Sequence, residues 1–484
     1  MFLSSVGELD KDNKKKLLNT ISEMDPAHNE FYRGCGDMDN GRLFADVFKD
    51  MCRYNVSAKE WYTYDGKRWI KDLEGKTAEG LAMVLTKALI IYSAEVGDKY
   101  YTQAVSKLQA RSKRMNMLRD AESFYKVRTE DFDQDPYLFN CQNGVIDLRT
   151  RELLDHDPAH MLSKISNVYY DRSCKCDLFE QVLDQLMCGD QSLVKYLQQV
   201  FGYSLTGENT QEECYMFYGA TTRNGKSTLL DTMEYLFGDY AMNIQPETLA
   251  KQDRNSRNAS GDIARLKDVR LVHMSEPPKR MNIDVALLKQ LLGRDQVTAR
   301  RMYEEEFQFI PVFKLMINTN FLPLVTDDTL FASGRIKVIP FMRHFKPEEQ
   351  DKHLKSKLKT RESISGIFNW ILEGLGVYCE NNEVLDVPDA VTNATEEYRE
   401  KSDKIKCYIS ECLAPAPGYT VTGGRVYDNY SKWCEQNGYK VENKRNFFDE
   451  LRAKGMLHDR GTINGVSERN IIKEYTFKYI AEMQ

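Results

Sequence analysis

The residues best placed to do chemistry gather near the middle of the chain. There Tyr215-Met216-Phe217-Tyr218 runs into Gly219-Ala220-Thr221-Thr222-Arg223-Asn224-Gly225-Lys226-Ser227-Thr228. The apolar run reads as a strand, and Leu229, Leu230, Met233, Leu236 and Phe237 recur behind the loop at helical spacing. A loop between a strand and a helix N-terminus aims backbone N–H groups at an anion. Gly225 lets the backbone approach closely, Lys226 reaches the outer phosphates of a nucleotide, and the Ser227 hydroxyl is a ligand for Mg²⁺. The expected nucleotide contacts therefore run from Gly219 through Ala220, Thr221, Thr222, Arg223, Asn224, Gly225, Lys226 and Ser227 to Thr228. Five residues, not four, separate Gly219 from Gly225, so Ala220 stands where this pattern has its first glycine.

Phosphoryl transfer also needs a carboxylate at the end of a neighbouring strand, to orient water and help hold the metal. Val269-Arg270-Leu271-Val272-His273-Met274 reads as a buried strand ending in Ser275-Glu276-Pro277, which puts Glu276 in that place without a preceding Asp. A third strand, Phe313 to Ile317, ends in Asn318-Thr319-Asn320, where an amide can sense the terminal phosphate. A fourth opens on Arg335 and runs to Phe341; a guanidinium suits charge developing on a transferring phosphoryl group, often from across an interface. Taken singly, Asn320 reads as a turn amide and Arg335 as a solvated charge. Their order behind the phosphate loop singles them out.

That order, with Leu288-Lys289-Gln290-Leu291-Leu292-Gly293-Arg294-Asp295-Gln296-Val297-Thr298-Ala299-Arg300 and Asn318-Thr319-Asn320-Phe321-Leu322-Pro323, resembles a superfamily III helicase. More narrowly it resembles the phage and plasmid primase–helicase group related to the poxvirus primase–helicase. Asp327 or Asp328 followed by Gly334-Arg335-Ile336-Lys337-Val338-Ile339-Pro340-Phe341 adds to the match. The close resemblance covers Cys214 to Phe341. A weaker one, through Trp61-Tyr62-Thr63-Tyr64-Asp65-Gly66-Lys67-Arg68-Trp69 and Asn140-Cys141-Gln142-Asn143-Gly144-Val145-Ile146-Asp147-Leu148, extends to the N-terminal helicase-associated segment of that group.

The resemblance implies subunits in a ring, commonly a hexamer, around one DNA strand, with ATP and Mg²⁺ between neighbours. It implies Lys226 and Ser227 on phosphates and metal, Glu276 as catalytic carboxylate, Asn320 as sensor, and Arg335 as a finger to the adjacent subunit. It also implies a DNA-contacting hairpin, placed by position from Thr298 to Phe309, with Arg300 and Arg301 as its phosphate contacts. The residues themselves leave this hairpin open to two readings. Val297 to Tyr303 and Phe307 to Ile310 flank Glu304-Glu305-Glu306 as two strands around a turn, and those glutamates repel phosphate. Arg300 and Arg301 then either touch DNA or pair with the glutamates.

The elements that must position these groups give an α/β protein. A P-loop, AAA+-like ATPase core is expected over residues 176–380, behind an α+β N-terminal helicase-associated domain over 1–175. In the latter, Asp65-Gly66 is a hairpin signal whose flanking aromatics either pack across strands or stack on bases. Lys107, Arg111, Lys113, Arg114 and Arg119 form a basic stretch, open to contact with a nucleic-acid backbone or to solvation. Residues 381–484 read as a linker and a winged-helix-like module, with breaks at Asn381 to Pro388 and Leu413 to Gly418. Helices follow near Val426 to Asn437 and Lys444 to Lys454, then a strand pair. This module carries 14 basic and 11 acidic side chains over residues 401–484, and Lys444 and Arg445 are its candidate DNA contacts, beside Arg452 and Lys454. Docking of protein is the alternative use of that module.

At 484 residues, with 42% hydrophobic and 29% charged side chains, the chain is of soluble globular type and too long for one core. A net charge of −6 offers no global attraction for nucleic acid, so any such contact is local. No apolar run reaches membrane-spanning length; the longest, Leu81 to Ala94, contains Lys87. The N-terminus lacks a secretory pattern, and 11 cysteines fit a reducing, cytoplasmic compartment. Asp131, Asp133 and Asp135 read as a turn, and Cys174-Lys175-Cys176 has no second pair, which argues against a zinc site and assigns any priming to a separate primase. The sequence-level conclusion is an ATP-driven DNA helicase of a phage, plasmid or similar element. Its competitors are an ATPase moving on RNA and a replication-initiation scaffold whose nucleotide only regulates assembly.

Overall fold

The computed structural model describes residues 11–251, 260–279, 281–300, 306–323, 325, 329–437, 439, 441–463 and 466–478. The N-terminal part wraps five helices, Lys11–Met24, Asp37–Phe48, Lys76–Val96, Lys99–Ser106 and Arg111–Ala121, against an antiparallel sheet. Its strands are β1 (Cys52–Asn55), β2 (Glu60–Tyr64) and β3 (Trp69–Lys71), in that order. The helical stretch Leu73–Val96 is long and apolar enough to cross a membrane by length and composition alone. In the fold its Leu81, Leu85 and Leu89 are buried in the core of this part with Leu43, Phe44 and Met117. A second antiparallel meander follows, β4 (Leu138–Cys141), β5 (Gly144–Asp147) and β6 (Glu152–Leu154).

The centre of the molecule is a five-stranded sheet. Its strands are β7 (Cys214–Tyr218), β8 (Ala241–Ile244) and β9 (Leu271–Ser275), then, after a separate two-stranded hairpin of β10 (Val297–Arg300) and β11 (Glu306–Phe309), β12 (Lys314–Thr319) and β13 (Ile336–Pro340). The spatial order is β13-β7-β12-β9-β8, and every pair is parallel. Strands buried on both faces read as continuous apolar runs, as Tyr215-Met216-Phe217 and Leu315-Met316-Ile317 do. Parallel pairing puts all five C-terminal ends on one edge, where ligands of open α/β sheets bind.

Helices Gln191–Ser204 and Arg361–Glu380 cover one face, and Gly202 and Gly374 allow them to touch: a Cβ on Gly374 would lie 2.0 Å from the Gln198 carbonyl. Phe139 and Ile146 of the second meander share that core. The opposite edge of the sheet is held by two buried cations. Arg270 donates to the Leu138 and Leu205 carbonyls at 2.8 and 2.5 Å, and Lys314 Nζ donates to the Thr206 and Glu208 carbonyls at 2.6 and 2.7 Å.

Helix Asp389–Ser402, beyond the expected linker, packs on the sheet: its Thr395 hydroxyl accepts the Val338 N–H at 2.9 Å, and its Tyr398 is buried. The last part runs helix Lys404–Cys412, β14 (Leu413–Thr422), helices Gly423–Asn437 and Lys444–Ala453, β15 (Leu457–Ile463) and β16 (Val466–Phe477). Its sheet has the order β14-β16-β15. The segment from Leu413 to Gly418, expected as a break, is part of a strand. Its prolines are tolerated because β14 is an edge and its register shifts between Pro415 and Thr420.

Candidate nucleotide site

The loop from Gly219 to Gly225 leaves the C-terminal end of β7 and delivers the chain to helix Lys226–Phe237. Its departure is pinned on both sides: the Gly219 N–H donates to the Thr319 carbonyl at 3.3 Å, and the Phe341 N–H to the Tyr218 carbonyl at 2.7 Å. A Cβ on Gly219 would sit 2.2 Å from Asn224 Nδ2 and 2.6 Å from the Phe341 carbonyl, so only glycine fits. Gly225 has φ +77° and would carry a Cβ 2.2 Å from Leu186 Cδ2.

Three bonds occupy the loop's carbonyls. The Phe345 N–H donates to the Arg223 carbonyl at 2.9 Å, Asn224 Nδ2 donates to the Thr221 carbonyl at 2.7 Å, and the His344 ring meets the Thr222 carbonyl at 2.8 Å. The backbone N–H groups from Ala220 to Thr228 donate to no acceptor among the described residues. Unpaired donors around a helix N-terminus make an anion cradle.

Lys226 lies in this cradle, 3% exposed, its Nζ donating to Asn224 Oδ1 at 2.9 Å and Asn320 Oδ1 at 2.8 Å. Burial pushes its pKa down to about 8, and the Glu276 carboxylate opposes that shift. A buried ammonium held only by neutral amide oxygens is a charge with room for an anionic partner.

Ser227 Oγ accepts from Asn318 Nδ2 at 3.0 Å, which fixes the hydroxyl while leaving a lone pair for a cation. Glu276 follows β9 with an exposed carboxylate and φ +46°, and its N–H donates to the Asn318 carbonyl at 2.8 Å. A non-glycine residue in the left-handed region costs about 1–2 kcal/mol, and such strain clusters at functional sites. Two hard oxygen donors, Ser227 Oγ and the Glu276 carboxylate, fit Mg²⁺.

Lys226, Ser227, Glu276 and Asn320 are thus brought together, and Asn318 joins them. Every residue of β12 is buried, so no alternation in the sequence shows that Asn318 faces the loop. Arg335 is elsewhere. It precedes β13 at the opposite edge of the sheet, about 16 Å from the loop by five residues of strand. There its Nη1 donates to the Lys289 carbonyl at 3.3 Å and its Nη2 pairs with Glu212.

The expected hairpin exists as β10 and β11. Arg300 is exposed and directly opposite Glu306, whereas Val297 and Ala299 are buried. Arg301 lies outside the described residues, as do Asp327 and Asp328. Lys444 lies over the rings of Tyr427 and Phe448 at 5.7 and 5.8 Å, and Arg445, 91% exposed, has Asp449 at 3.9 Å. Arg452 pairs with Asp449 and Asp459 at 2.8 and 3.2 Å, and Lys454 with Asp403 at 2.5 Å. In the N-terminal part Tyr64 packs on its cross-strand partner Trp69, with ring centroids 5.7 Å apart, and Tyr62 stacks on Phe132, so the hairpin aromatics are packing residues. Arg111 and Lys113 pair with Glu79 and Asp37 at 3.0 and 3.3 Å.

Comparison with known proteins adds context to this geometry. The family described as "D5 N terminal like" matches residues 41–188, and a family of unknown function (DUF5906) matches residues 217–335. A putative helicase of Acanthamoeba polyphaga mimivirus is 28% identical over 328 residues, 63% of this chain and 34% of the relative. One of frog virus 3 (isolate Goorha) is 27% identical over 408 residues, 66% of this chain and 41% of the relative. The chain therefore spans about a third to two fifths of the length of these relatives. The apo structure of the NrS-1 C-terminal region superposes on 90% of this chain and 99% of that one, at 11% identity and a TM-score of 0.46.

Proposed function

We propose that the chain belongs to the phage and viral primase–helicase family and that it hydrolyses ATP to separate DNA strands during replication of a phage, plasmid or related mobile element. The observation that carries this reading is Lys226, buried in a loop of free N–H groups, its ammonium hydrogen-bonded among the described residues only to amide oxygens. In the proposed reaction the outer phosphates of ATP enter the cradle and Lys226 exchanges its amide partners for phosphate oxygens. Asn320, released from Lys226, is then free to contact the terminal phosphate. Glu276 orients the attacking water; Ser227 and Glu276 would hold Mg²⁺, which would supply neutralisation of charge on the outer phosphates.

Arg335 cannot complete this pocket within its own chain, because the sheet lies between them. It can do so only from a neighbouring copy, which favours a ring of like subunits, hexameric in the resemblance, with single-stranded DNA in its channel. The hairpin arginines Arg300 and Arg301 are the proposed strand contacts, and a separate primase would supply primers. The sheet order, the phosphate loop and the helix–strand–helix–helix–strand–strand order of the C-terminal part support the readings of an AAA+-like core and a winged-helix-like module.

Lys226→Ala is expected to abolish ATP turnover and fork unwinding together, at unchanged thermal stability. Turnover at the parent rate would overturn the assignment. Absence of an Asp before Glu276 keeps one alternative in view, a scaffold with a regulatory nucleotide. Slow turnover indifferent to DNA and RNA would favour it, and unwinding of RNA forks alone would favour RNA translocation.

A further inference from the structure

The helix expected to meet DNA in the C-terminal part, Lys444–Ala453, is electrically mixed. Its Arg445 and Arg452 both face Asp449, and Lys444 is spread over two aromatic rings. One face of the neighbouring hairpin is not. Arg460 of β15 and Arg469 of β16 are directly opposed across the ladder, both exposed. Directly opposed residues share a face with Cβ atoms about 5 Å apart, and like charges so placed destabilise a sheet. Neither arginine has an ion-pair partner among the described residues.

The next rung on that face carries Thr462 opposite Ser467, also exposed, about 6.8 Å along the strands. Alternation sends the nearby carboxylates, Asp459 and Glu468, to the other face, and Asp459 indeed engages Arg452 at 3.2 Å. Two guanidiniums and two hydroxyls on consecutive rungs, with no carboxylate among them, are the side chains that contact phosphate oxygens without reading bases.

We propose that this face of the β15–β16 hairpin binds the phosphodiester backbone of nucleic acid, and that it, rather than helix Lys444–Ala453, is the polyanion contact of the C-terminal part. The proposal rests on the reading of the chain as a nucleic-acid enzyme, but concerns a surface far in sequence from the nucleotide site. An anion between the arginines relieves their repulsion, so the same pair that costs stability in the free protein contributes affinity in the complex.

The test uses the full chain with Arg460→Ala/Arg469→Ala, Arg469→Glu and Arg445→Ala, and fluorescence anisotropy on duplex DNA, single-stranded DNA and RNA of one sequence across a salt series. The double variant is expected to bind at least one of the three about tenfold more weakly, with the slope of log Kd against log salt reduced by about 1.4–1.8 for two lost phosphate contacts. The size of the loss across the three probes assigns the form of nucleic acid. Arg469→Glu creates an opposite-charge rung, so it should keep or raise Tm while losing more affinity, and Arg445→Ala should change Kd less than twofold. Parent-like affinity and slope in the double variant, no nucleic-acid binding by the parent, or an equal loss on polyglutamate would each overturn the proposal. ATP turnover without nucleic acid, measured on the same samples, reports separately on the nucleotide site and should be unchanged.

Discussion

Lys226 couples the site to pH. Burial holds its pKa at about 8, so the neutral amine gains population as pH rises through that value. A triphosphate favours the ammonium and raises its pKa, so binding above pH 8 must take up a proton. Nucleotide affinity should be flat with pH below about 7 and weaken above 8, approaching tenfold per pH unit until the pKa of the bound state is reached. Calorimetry in two buffers of different ionisation enthalpy at pH 8.5 reads the proton uptake directly; zero uptake would mean that Lys226 is charged in both states. Asn318 makes a different expectation. Its amide touches the Ser227 hydroxyl and none of the cradle's N–H groups, so Asn318→Ala should raise the Mg²⁺ concentration for half-maximal turnover severalfold. Binding of nucleotide without metal should hold. Equal losses in both measurements would make Asn318 a packing residue.

At the scale of elements, the loop and its helix work because two glycines remove side chains where neighbours crowd in. Gly225 faces two constraints, a positive φ and the side chain of Leu186 at the end of helix Asp177–Leu186. Gly225→Ala should therefore lower Tm and weaken nucleotide binding. Adding Leu186→Ala removes the clash but not the backbone strain of about 1–2 kcal/mol, so the double variant should recover only part of the binding loss. Full recovery would assign the whole effect to Leu186. Strand, loop and helix here were legible in the sequence because each is set by local signals: an apolar run, Gly-Lys-Ser, then helical periodicity. The strand-end residues Glu276 and Asn320 were legible for the same reason. The order β13-β7-β12-β9-β8 was not, since parallel pairing is set by contacts far apart in sequence. Asn318 was hidden inside a fully buried strand. β14 was hidden by Pro415 and Pro417, which mark a loop in most contexts and are tolerated here by an edge position. Asp449 beside Arg445 and Arg452 was legible from helical spacing, whereas the approach of Asp459 to Arg452 was not, since it joins the helix to a strand.

At the scale of the molecule, the separation between Arg335 and the phosphate loop forces a choice. Both follow from the same sheet: the loop leaves β7 at the C-terminal edge, and Arg335 enters β13 at the opposite one. No rotamer of an arginine spans about 16 Å of strand. If Arg335 acts on ATP, the ATP belongs to another copy, and each pocket is built from two chains. Lys226→Ala and Arg335→Ala should then each lose about 10³-fold or more in turnover. The first should also bind ATP poorly, whereas the second should bind it nearly normally. Mixed in equal amounts and allowed to exchange, they form some interfaces that join an intact Lys226 to an intact Arg335. About a quarter of interfaces should be of this kind on random mixing, and turnover should recover toward that fraction of the parent, less if neighbouring sites fire in sequence. Size-exclusion chromatography on each variant establishes that assembly persists, and Glu212→Gln, which frees Arg335 from its partner in the isolated chain, should leave turnover intact or raise it. No recovery from two assembling variants would place Arg335 outside the reaction, as a cation that pairs with Glu212 to close the sheet's edge, and would return the search for the charge-stabilising group to the pocket's own chain.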